Sequence, residues 1–401
     1  MAAPKKKKEE HKEEEKQWLG KPEKNKCRIG IVGLPNIGKS SLFNVFSSKQ
    51  VPAENYPFCT IKPSQTQVPV PDKRWLHLCE SFKPRSRVQA VLEIWDIAGL
   101  VRGAHEGQGL GNEFLANIQA VDAIYHVVRA FKAKDVEHVE GSLDPVRDIE
   151  IIANELRQKD IAVVSKKYES LSKLVGRSKD RRVKEEFECV SILLELLKEG
   201  KDLAFCGVRF DGKYLDYIRS YNLFTCKPVV FLVNVSETNW LKGQNKYIAE
   251  IQEYVKKAYP GSAVIPFSAT FEKKVSEMTA DEAEAFLNKN KTKSLLNKII
   301  QAGYKSLQLI HYFTCGEDEV RCWTIRKGTK APQAAGVIHS DMEDGFICAE
   351  VYAYKDFKKC GGTETAVKSG GKYQQQGKNY VVQDGDICFF KFNKPQPSKK
   401  K

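Results

Sequence analysis

The chain has 401 residues, of which 41% are hydrophobic and 29% are charged, as is typical of a globular protein with two or three domains. No apolar run is long enough to cross a bilayer, and the first residues lack the apolar core of a signal peptide, so we expect a cytoplasmic protein, with the nucleus as an alternative location. The eleven cysteines form no Cys-x-x-Cys pair and accompany no histidine cluster. We interpret them most simply as the reduced thiols of an intracellular protein.

The net charge of +14 is concentrated in three segments. Residues 1–26 carry nine Lys against six Glu, residues 173–184 carry six basic side chains against one Asp, and residues 394–401 carry four Lys. These surpluses predict contact with a polyanion such as RNA, through neutralisation of phosphates rather than reading of bases. For the two tails, an alternative of equal weight is that lysine-rich ends keep the protein soluble.

The first part of the chain changes character near residue 27. Residues 1–26 are Lys/Glu-rich and almost devoid of apolar side chains, so we expect a disordered arm. An apolar run at 28–32 ends in a glycine loop, and residues 40–45 have a helical pattern. Four later runs have the composition of buried strands: Val91–Trp95, Ala123–Val128, Val229–Val233 and Ala263–Phe267. Strands alternating with helices predict an α/β domain with a mostly parallel sheet.

Roughly 100 residues separate the second and third of these runs, far more than one crossover connection needs. Within the gap, two sets of apolar residues recur at helical spacing, and residues 176–178 lie between them. Their members are Ile149, Ile152, Leu156, Val163, Leu171 and Leu174, and then Val183, Phe187, Val190, Leu194 and Leu197. We predict an inserted, coiled-coil-like α-helical hairpin over residues 145–225, with the basic residues 173–184 at its tip.

The last part of the chain has strand patterns of a different kind. Residues 320–325 and 347–352 alternate at period two. Residues 380–382 and 387–390 flank Asp384-Gly385, for which we predict a β-hairpin. These patterns predict a small α+β domain at 307–392, followed by a basic tail at 393–401.

The glycine loop Gly33-Leu34-Pro35-Asn36-Ile37-Gly38-Lys39-Ser40 fits the template G-x-x-x-x-G-K-[S/T] at every fixed position, between a strand and a helix. Backbone N–H groups of such a loop face phosphate oxygens, while Lys39 neutralises the β- and γ-phosphates and their developing charge. The Ser40 hydroxyl is a hard ligand suited to Mg²⁺. The sequence therefore predicts a nucleoside triphosphate held by Asn36, Ile37, Gly38, Lys39, Ser40 and Ser41.

A second motif, Asp96-Ile97-Ala98-Gly99, follows a predicted strand. We expect Asp96 to hold Mg²⁺ through water and Gly99 to let the backbone approach the γ-phosphate, a catalytic role. Thr60, between the two motifs, is the candidate for a further Mg²⁺ ligand. The glycine-rich residues 100–112 predict a segment that orders and disorders with the γ-phosphate.

Leu100 occupies the position where many GTPases place the glutamine that orients the attacking water. Turnover must then be slow or depend on another group, for which the candidates are His105, Gln108 and His138. For each histidine, an ordinary surface role is an equal alternative. Asn36 could also help to seat K⁺ beside the phosphates.

The motif Asn234-Val235-Ser236-Glu237 stands where a GTPase carries Asn-Lys-x-Asp. Without the lysine, and with the longer Glu237, the bidentate geometry for guanine is compromised, while Asn234 can still reach purine N7. Ser268 is expected in the last base-side loop. The pocket thus predicts ATP over GTP. The alternatives are a GTPase with a degenerate base motif and a nucleotide-sensing scaffold whose turnover is incidental.

With these motifs in place, the chain resembles the Obg-like ATPases, also called the YchF family, over essentially its whole length after residue 26. The resemblance rests on residues 33–41, 55–60, 96–112, 234–237, 326–336, 371–373 and 384–386. It implies a translation-factor-class, OBG-type G domain at 27–144 and 226–306, the inserted helical domain, and a C-terminal TGS domain with a ubiquitin-like β-grasp fold.

The resemblance also bears on activity and partners. It implies a slow, Mg²⁺-dependent ATPase that acts as a molecular switch, associates with ribosomes, and takes part in translation or stress responses. The backbone at Val235 would contact the adenine amino group, and His138 would substitute for the missing glutamine. We expect the protein to be a monomer.

Overall fold

The computed structural model describes residues 17–20, 27–49, 64–97, 110–132 and 138–393. Its strands are, in chain order, β1 (Arg28–Val32), β2 (Gln65–Pro69), β3 (Ser86–Val88), β4 (Val91–Asp96), β5 (Ala123–Arg129), β6 (Val229–Asn234), β7 (Val264–Phe267), β8 (Leu309–Cys315), β9 (Glu319–Arg326), β10 (Phe346–Ala353), β11 (Gln374–Gln376) and β12 (Asp386–Phe392). Its helices are α1 (Lys39–Ser47), α2 (Lys73–Phe82), α3 (Leu110–Ala120), α4 (Pro145–Val175), α5 (Arg181–Lys198), α6 (Gly212–Tyr221), α7 (Glu237–Lys242), α8 (Ile248–Ala258), α9 (Ala269–Ser276), α10 (Ala280–Lys289), α11 (Leu296–Ser306), α12 (Ala331–Ile338), α13 (Ser340–Asp344), α14 (Tyr354–Lys359) and α15 (Glu364–Ser369).

The first sheet has the strand order β2-β4-β1-β5-β6-β7. All its pairings are parallel except the edge strand β2, which runs antiparallel to β4. The central strands β1, β5 and β6 are almost completely buried, which is why their sequences are continuous apolar runs. The predicted mostly parallel α/β sheet is confirmed. Because β1 lies between β4 and β5, the phosphate loop after β1 lies beside the ends of both neighbours.

The helical hairpin predicted between β5 and β6 is observed as α4 and α5. Each helix begins with an aspartate cap: Asp144 accepts the N–H of Arg147, and Asp180 accepts the N–H of Arg182. The two helices and α6 share a separate apolar core. All six basic residues of the tip are exposed: Lys173, Arg177, Lys179, Arg181, Arg182 and Lys184. No helix among the described residues is long and apolar enough to cross a membrane.

The C-terminal unit is a mixed sheet of order β11-β10-β12-β8-β9-β3, with α12 packed through its alanines on one face, as expected for a β-grasp fold. The predicted hairpin around Asp384-Gly385 is wrong. β12 pairs antiparallel with β10 and parallel with β8, while Val381 forms an isolated antiparallel bridge with Lys330. The turn is used differently, because the Asp384 carboxylate binds Arg74 of α2 at 2.8 Å and accepts the His311 N–H at 3.0 Å.

Two features join the units to one another. The short strand β3, which precedes β4 in the chain, completes the C-terminal sheet by pairing parallel with β9. Residues 17–20, which we expected to belong to a disordered arm, are packed instead, so that prediction is wrong for these four residues. The rest of the predicted arm, residues 1–16 and 21–26, lies outside the described residues, as does the tail beyond residue 393.

The packed segment 17–20 contacts the helical unit and the C-terminal unit. Gln17 and Phe210 exchange two hydrogen bonds of 2.8 Å, side chain to backbone in each direction. The Trp18 ring lies under the Arg326 guanidinium, 3.6 Å from its carbon. Leu19 is 5% exposed and belongs to the core of the helical hairpin. Two apolar side chains and one bidentate glutamine thus order a segment whose composition is otherwise that of a disordered arm.

Candidate functional site

The phosphate loop depends on two glycines with positive φ. Gly33 has φ 152°, and a Cβ there would lie 2.6 Å from the carbonyl oxygen of Val127. Gly38 has φ 95°, and a Cβ there would overlap the amide nitrogen of Asn234. Only glycine fits both positions, since each combines a left-handed backbone with a close neighbour.

Lys39 starts α1 and is almost completely buried. Its Nζ donates to the carbonyl oxygen of Leu34 at 2.7 Å, which folds the side chain back along the loop. Burial lowers the pKa of Lys39 to about 8, although the charge of Asp96 opposes this shift. The pKa of His126, in β5, is lowered to about 3, mainly by burial and also by the charge of Lys39. This histidine is therefore neutral. The lysine is therefore the charge that an anion at this loop would meet.

Ser40 and Asp96 form the polar pair beside the loop. The Ser40 hydroxyl is near enough to the Asp96 carboxylate to act on its pKa, and β1 and β4 are in register at Ile31 and Asp96. Burial raises the pKa of Asp96, while Ser40 and Lys39 oppose that shift. A hydroxyl and a single carboxylate are the hard oxygen ligands that Mg²⁺ takes from proteins when phosphates and water complete its shell. These residues therefore fit the predicted ion, and Thr60 and Gly99 lie outside the described residues.

Asn234, at the end of β6, ties the phosphate loop to the base-side loop. Its Nδ2 donates to the carbonyl oxygen of Ile37 at 2.9 Å, and its Oδ1 accepts the N–H of Ala269 at 3.0 Å. These bonds use Oδ1 and one of the two Nδ2 hydrogens, so a bond to purine N7 would have to use the second hydrogen. The Ser268 side chain caps α9 by accepting the N–H of Phe271. Structure thus brings residues 36–38, 234 and 268 together.

Val235 and Glu237 differ in their surroundings. Val235 is 3% exposed, packs in an apolar cluster, and donates its N–H to the carbonyl oxygen of Phe267 at 2.8 Å. Glu237 is the first residue of α7 and is partly exposed, with Oε1 3.3 Å from Nζ of Lys274. The cationic side chain of a GTPase motif is therefore replaced by an aliphatic one turned into the core, and the acid has a cationic partner.

A polar cluster beside the phosphate loop was not predicted from the sequence. Arg129 ends β5 and reaches the carbonyl oxygen of Asn36 at 3.5 Å. Asp148, in the first turn of α4, receives Nε2 of His138 at 2.8 Å and the Arg147 guanidinium at 3.1 Å. Asp148 also acts electrostatically on Arg129. Only His138 carried a sequence signal, because no motif marks Asp148 or Arg147, and Arg129 joins the cluster through contacts remote in sequence. His105 and Gln108 lie outside the described residues.

One edge of the mostly parallel sheet, formed by the carboxyl ends of its strands, carries the whole site. The phosphate loop, the Ser40–Asp96 pair and the base-side loop all lie there. This arrangement defines a P-loop nucleotide hydrolase with a GTPase-type fold. A family model described as "50S ribosome-binding GTPase" matches residues 28–167, and a model of YchF GTPase C-terminal regions, described as a protein of unknown function (DUF933), matches residues 309–393.

Similar proteins agree with this class. Obg-like ATPase 1 of Gallus gallus is 53% identical over 375 residues, which are 93% of this chain and 94% of that protein. Obg-like ATPase 1 of Homo sapiens is 51% identical over 374 residues, with the same coverage. The structure of the Schizosaccharomyces pombe YchF GTPase superimposes with a TM-score of 0.84 at 45% identity, covering 94% of this chain and 100% of that one. The chain belongs to the Obg-like ATPase (YchF) family, which confirms the resemblance.

Proposed function

We propose that this protein is a magnesium-dependent hydrolase that prefers ATP to GTP and acts as a slow molecular switch associated with ribosomes or RNA. The observation that carries the ATP preference is the environment of Val235. Its N–H is bonded to Phe267, so the polar group it can offer a base is its carbonyl oxygen. A carbonyl accepts a hydrogen bond from the adenine amino group, whereas it would face the O6 acceptor of guanine and repel it.

Glu237 adds a second reason. The aspartate of a GTPase motif accepts two N–H groups of guanine. To do so, its carboxylate must lie at a particular distance from the base and at a particular angle to it. Glu237 is one methylene longer, and its Oε1 lies 3.3 Å from Nζ of Lys274. Guanine would have to compete with that ion pair, while adenine presents no paired donors and loses nothing.

Titration calorimetry with non-hydrolysable ATP and GTP analogues tests the preference. The wild type should bind the ATP analogue at least about tenfold more tightly than the GTP analogue. This ratio corresponds to the free energy of about one hydrogen bond. Val235→Lys with Glu237→Asp should reduce or invert the ratio, and Glu237→Asp alone separates the two contributions. Val208→Lys with Glu253→Asp, the same substitutions on an exposed surface, is the matched control. A wild type that binds the GTP analogue more tightly would refute the adenine proposal.

Hydrolysis would be supported by the groups around the loop. Lys39 and the loop N–H groups stabilise the charge that develops on the phosphates. Bound Mg²⁺ would neutralise phosphate charge, held by Ser40 and Thr60, with Asp96 acting through water. Gly99 would lie against the γ-phosphate, and His138 would orient the attacking water in place of a glutamine.

A potassium requirement at Asn36 is a separate question. Arg129 already brings a positive charge to within 3.5 Å of the Asn36 carbonyl oxygen. If K⁺ is nevertheless seated there, turnover should be faster in K⁺ than in Na⁺ at equal ionic strength, and Asn36→Ala should remove the difference. Equal rates in the two salts would remove K⁺ from the proposal.

The tip of the helical hairpin is the proposed polyanion contact. Its six basic side chains are exposed at the far end of α4 and α5. Charge reversal at Arg177, Lys179, Arg181 and Arg182 should weaken co-sedimentation with ribosomes and flatten its salt dependence, while leaving basal ATP turnover intact. Reversal at Lys256, Lys257, Lys289 and Lys293 changes the net charge equally at exposed positions elsewhere. Co-sedimentation indifferent to both the tip reversal and salt would exclude this contact.

Two further expectations complete the proposal. The ten cysteines within the part of the chain that the structure describes are free thiols. Free thiols are typical of a reducing compartment, which supports the proposed location in the cytoplasm. Fluorescence microscopy of the tagged protein tests that location, and analytical ultracentrifugation tests the monomeric state.

A further inference from the structure

The buried carboxylate of Asp148 gathers the cluster beside the phosphate loop. Asp148 is 4% exposed and lies in the first turn of α4. Its Oδ2 receives His138 Nε2 at 2.8 Å, and its Oδ1 receives the guanidinium of Arg147 at 3.1 Å. Arg147 is itself fixed by bonds of 2.6 and 2.9 Å to the carbonyl and hydroxyl oxygens of Ser142. The carboxylate is therefore held at both oxygens, by His138 at Oδ2 and by Arg147 at Oδ1.

Both ring nitrogens of His138 are engaged. Glu140 donates its backbone N–H to Nδ1 at 3.2 Å, so Nδ1 is an acceptor and carries no proton. A neutral ring then has its proton on Nε2, where it is donated to Asp148. In this orientation neither nitrogen can bind a water molecule, since one is used as an acceptor and the other as a donor.

The cluster borders the nucleotide site. Arg129 lies 3.5 Å from the carbonyl oxygen of Asn36 in the phosphate loop, and it feels the charge of Asp148. Asp148 belongs to α4, and it is linked electrostatically to the phosphate loop through Arg129. His138 is thus connected to the phosphate loop through Asp148 and Arg129, and its Nε2 is bonded to a carboxylate.

We propose that Asp148 is a positioning residue that holds His138 in a resting orientation, and that ATP hydrolysis requires the His138–Asp148 hydrogen bond to break. This inference rests on the proposed role of His138 in orienting water. Because α4 carries Asp148 whereas His138 lies before α4 in the chain, a small shift of α4 relative to His138 changes the hydrogen bond directly. Regulation of turnover would then act through the inserted helices.

Steady-state ATP turnover by the full chain tests the proposal. Asp148→Ala should raise kcat about tenfold with little change in nucleotide affinity, because it removes the bond that holds the ring. Asp148→Asn should change kcat much less, since its amide oxygen still accepts the Nε2 proton. In a His138→Ala background, Asp148→Ala should change nothing, as a double-mutant cycle requires of a residue that acts through another. Asp160→Ala, which removes another buried carboxylate of α4, is the matched control.

Three results would overturn the proposal. A folded Asp148→Ala variant with unchanged or reduced kcat would show that the carboxylate does not restrain the ring. An increase that persists without His138 would show that it acts elsewhere. In the wild type, ¹⁵N NMR of the histidine side chains should find His138 protonated on Nε2, and a proton on Nδ1 would contradict the resting orientation. Failure of the proposed function is distinguishable, because a wild type that neither binds nor hydrolyses ATP would show it directly.

Discussion

Nucleotide binding should take up a proton at Lys39. In the described state burial lowers the pKa of this lysine to about 8, whereas a triphosphate beside Nζ would stabilise the charged form. If only protonated Lys39 binds the phosphates well, affinity is nearly constant below pH 7 and falls as pH rises through 8. Between pH 7 and pH 9 the loss should be about tenfold, because each pH unit above the pKa removes about 1.4 kcal/mol.

Calorimetry measures both quantities in one experiment. Titrations at pH 8 in buffers of different ionisation enthalpy should show uptake of about half a proton per nucleotide, and at pH 7 about a tenth. Phosphate groups complete their ionisation near pH 6, so they contribute little in this range. The Lys39→Arg variant, which cannot lose its charge, should show neither the uptake nor the pH dependence. Constant affinity from pH 7 to 9.5 in the wild type would refute the reasoning.

Three further outcomes are expected. Leu19→Ala should lower the free energy of unfolding in urea by about 2–3 kcal/mol, since Leu19 is 5% exposed, whereas Leu76→Ala, at 52% exposure, should have little effect; equal effects would show that residues 17–20 are not packed in solution. Burial raises the pKa of Asp160 to about 6, so its contribution to stability is present at low pH and lost as pH rises through 6. The wild type should therefore lose stability between pH 5 and 7, and in Asp160→Asn this loss should be smaller by about 1 kcal/mol. Ser40→Ala should raise the Mg²⁺ concentration for half-maximal turnover at least about tenfold, and an unchanged value would remove Ser40 from the metal site.

The buried strands could be predicted from the sequence because both faces of β1, β5 and β6 are covered, which leaves an apolar run in the text. The edge strand β2 was missed, since Gln65, Thr66 and Gln67 are polar and only Val68 contributes an apolar side chain to the core. The Asp384-Gly385 pair is a genuine turn, but its partners come from α2 and β8. Local turn chemistry can predict the bend, while tertiary contacts decide which strands it joins.

The site divides in the same way. The phosphate loop could be predicted from the sequence because its glycines, lysine and serine must occur at fixed spacings along one segment. The sequence predicts that Asn234 contacts the base, and in the structure its side chain bonds Ile37 and Ala269, which no linear motif reveals. Arg129 and Asp148 carry no signal of their own, because they become neighbours only when β5 and α4 are folded. Their involvement could be found only from the assembled structure.

The strand β3 has a consequence for how the chain is made. Its hydrogen-bonding partner β9 is synthesised roughly 230 residues later, and at about 5–20 residues per second this takes tens of seconds. During that interval the nascent first domain presents Ser86–Val88 without the neighbour it has in the finished protein. The C-terminal sheet therefore cannot be completed on its own, since one of its edges is supplied by a segment that left the ribosome long before. A fragment ending before residue 309 should accordingly be more prone to associate with itself than the full chain, through the edge that β9 would have covered.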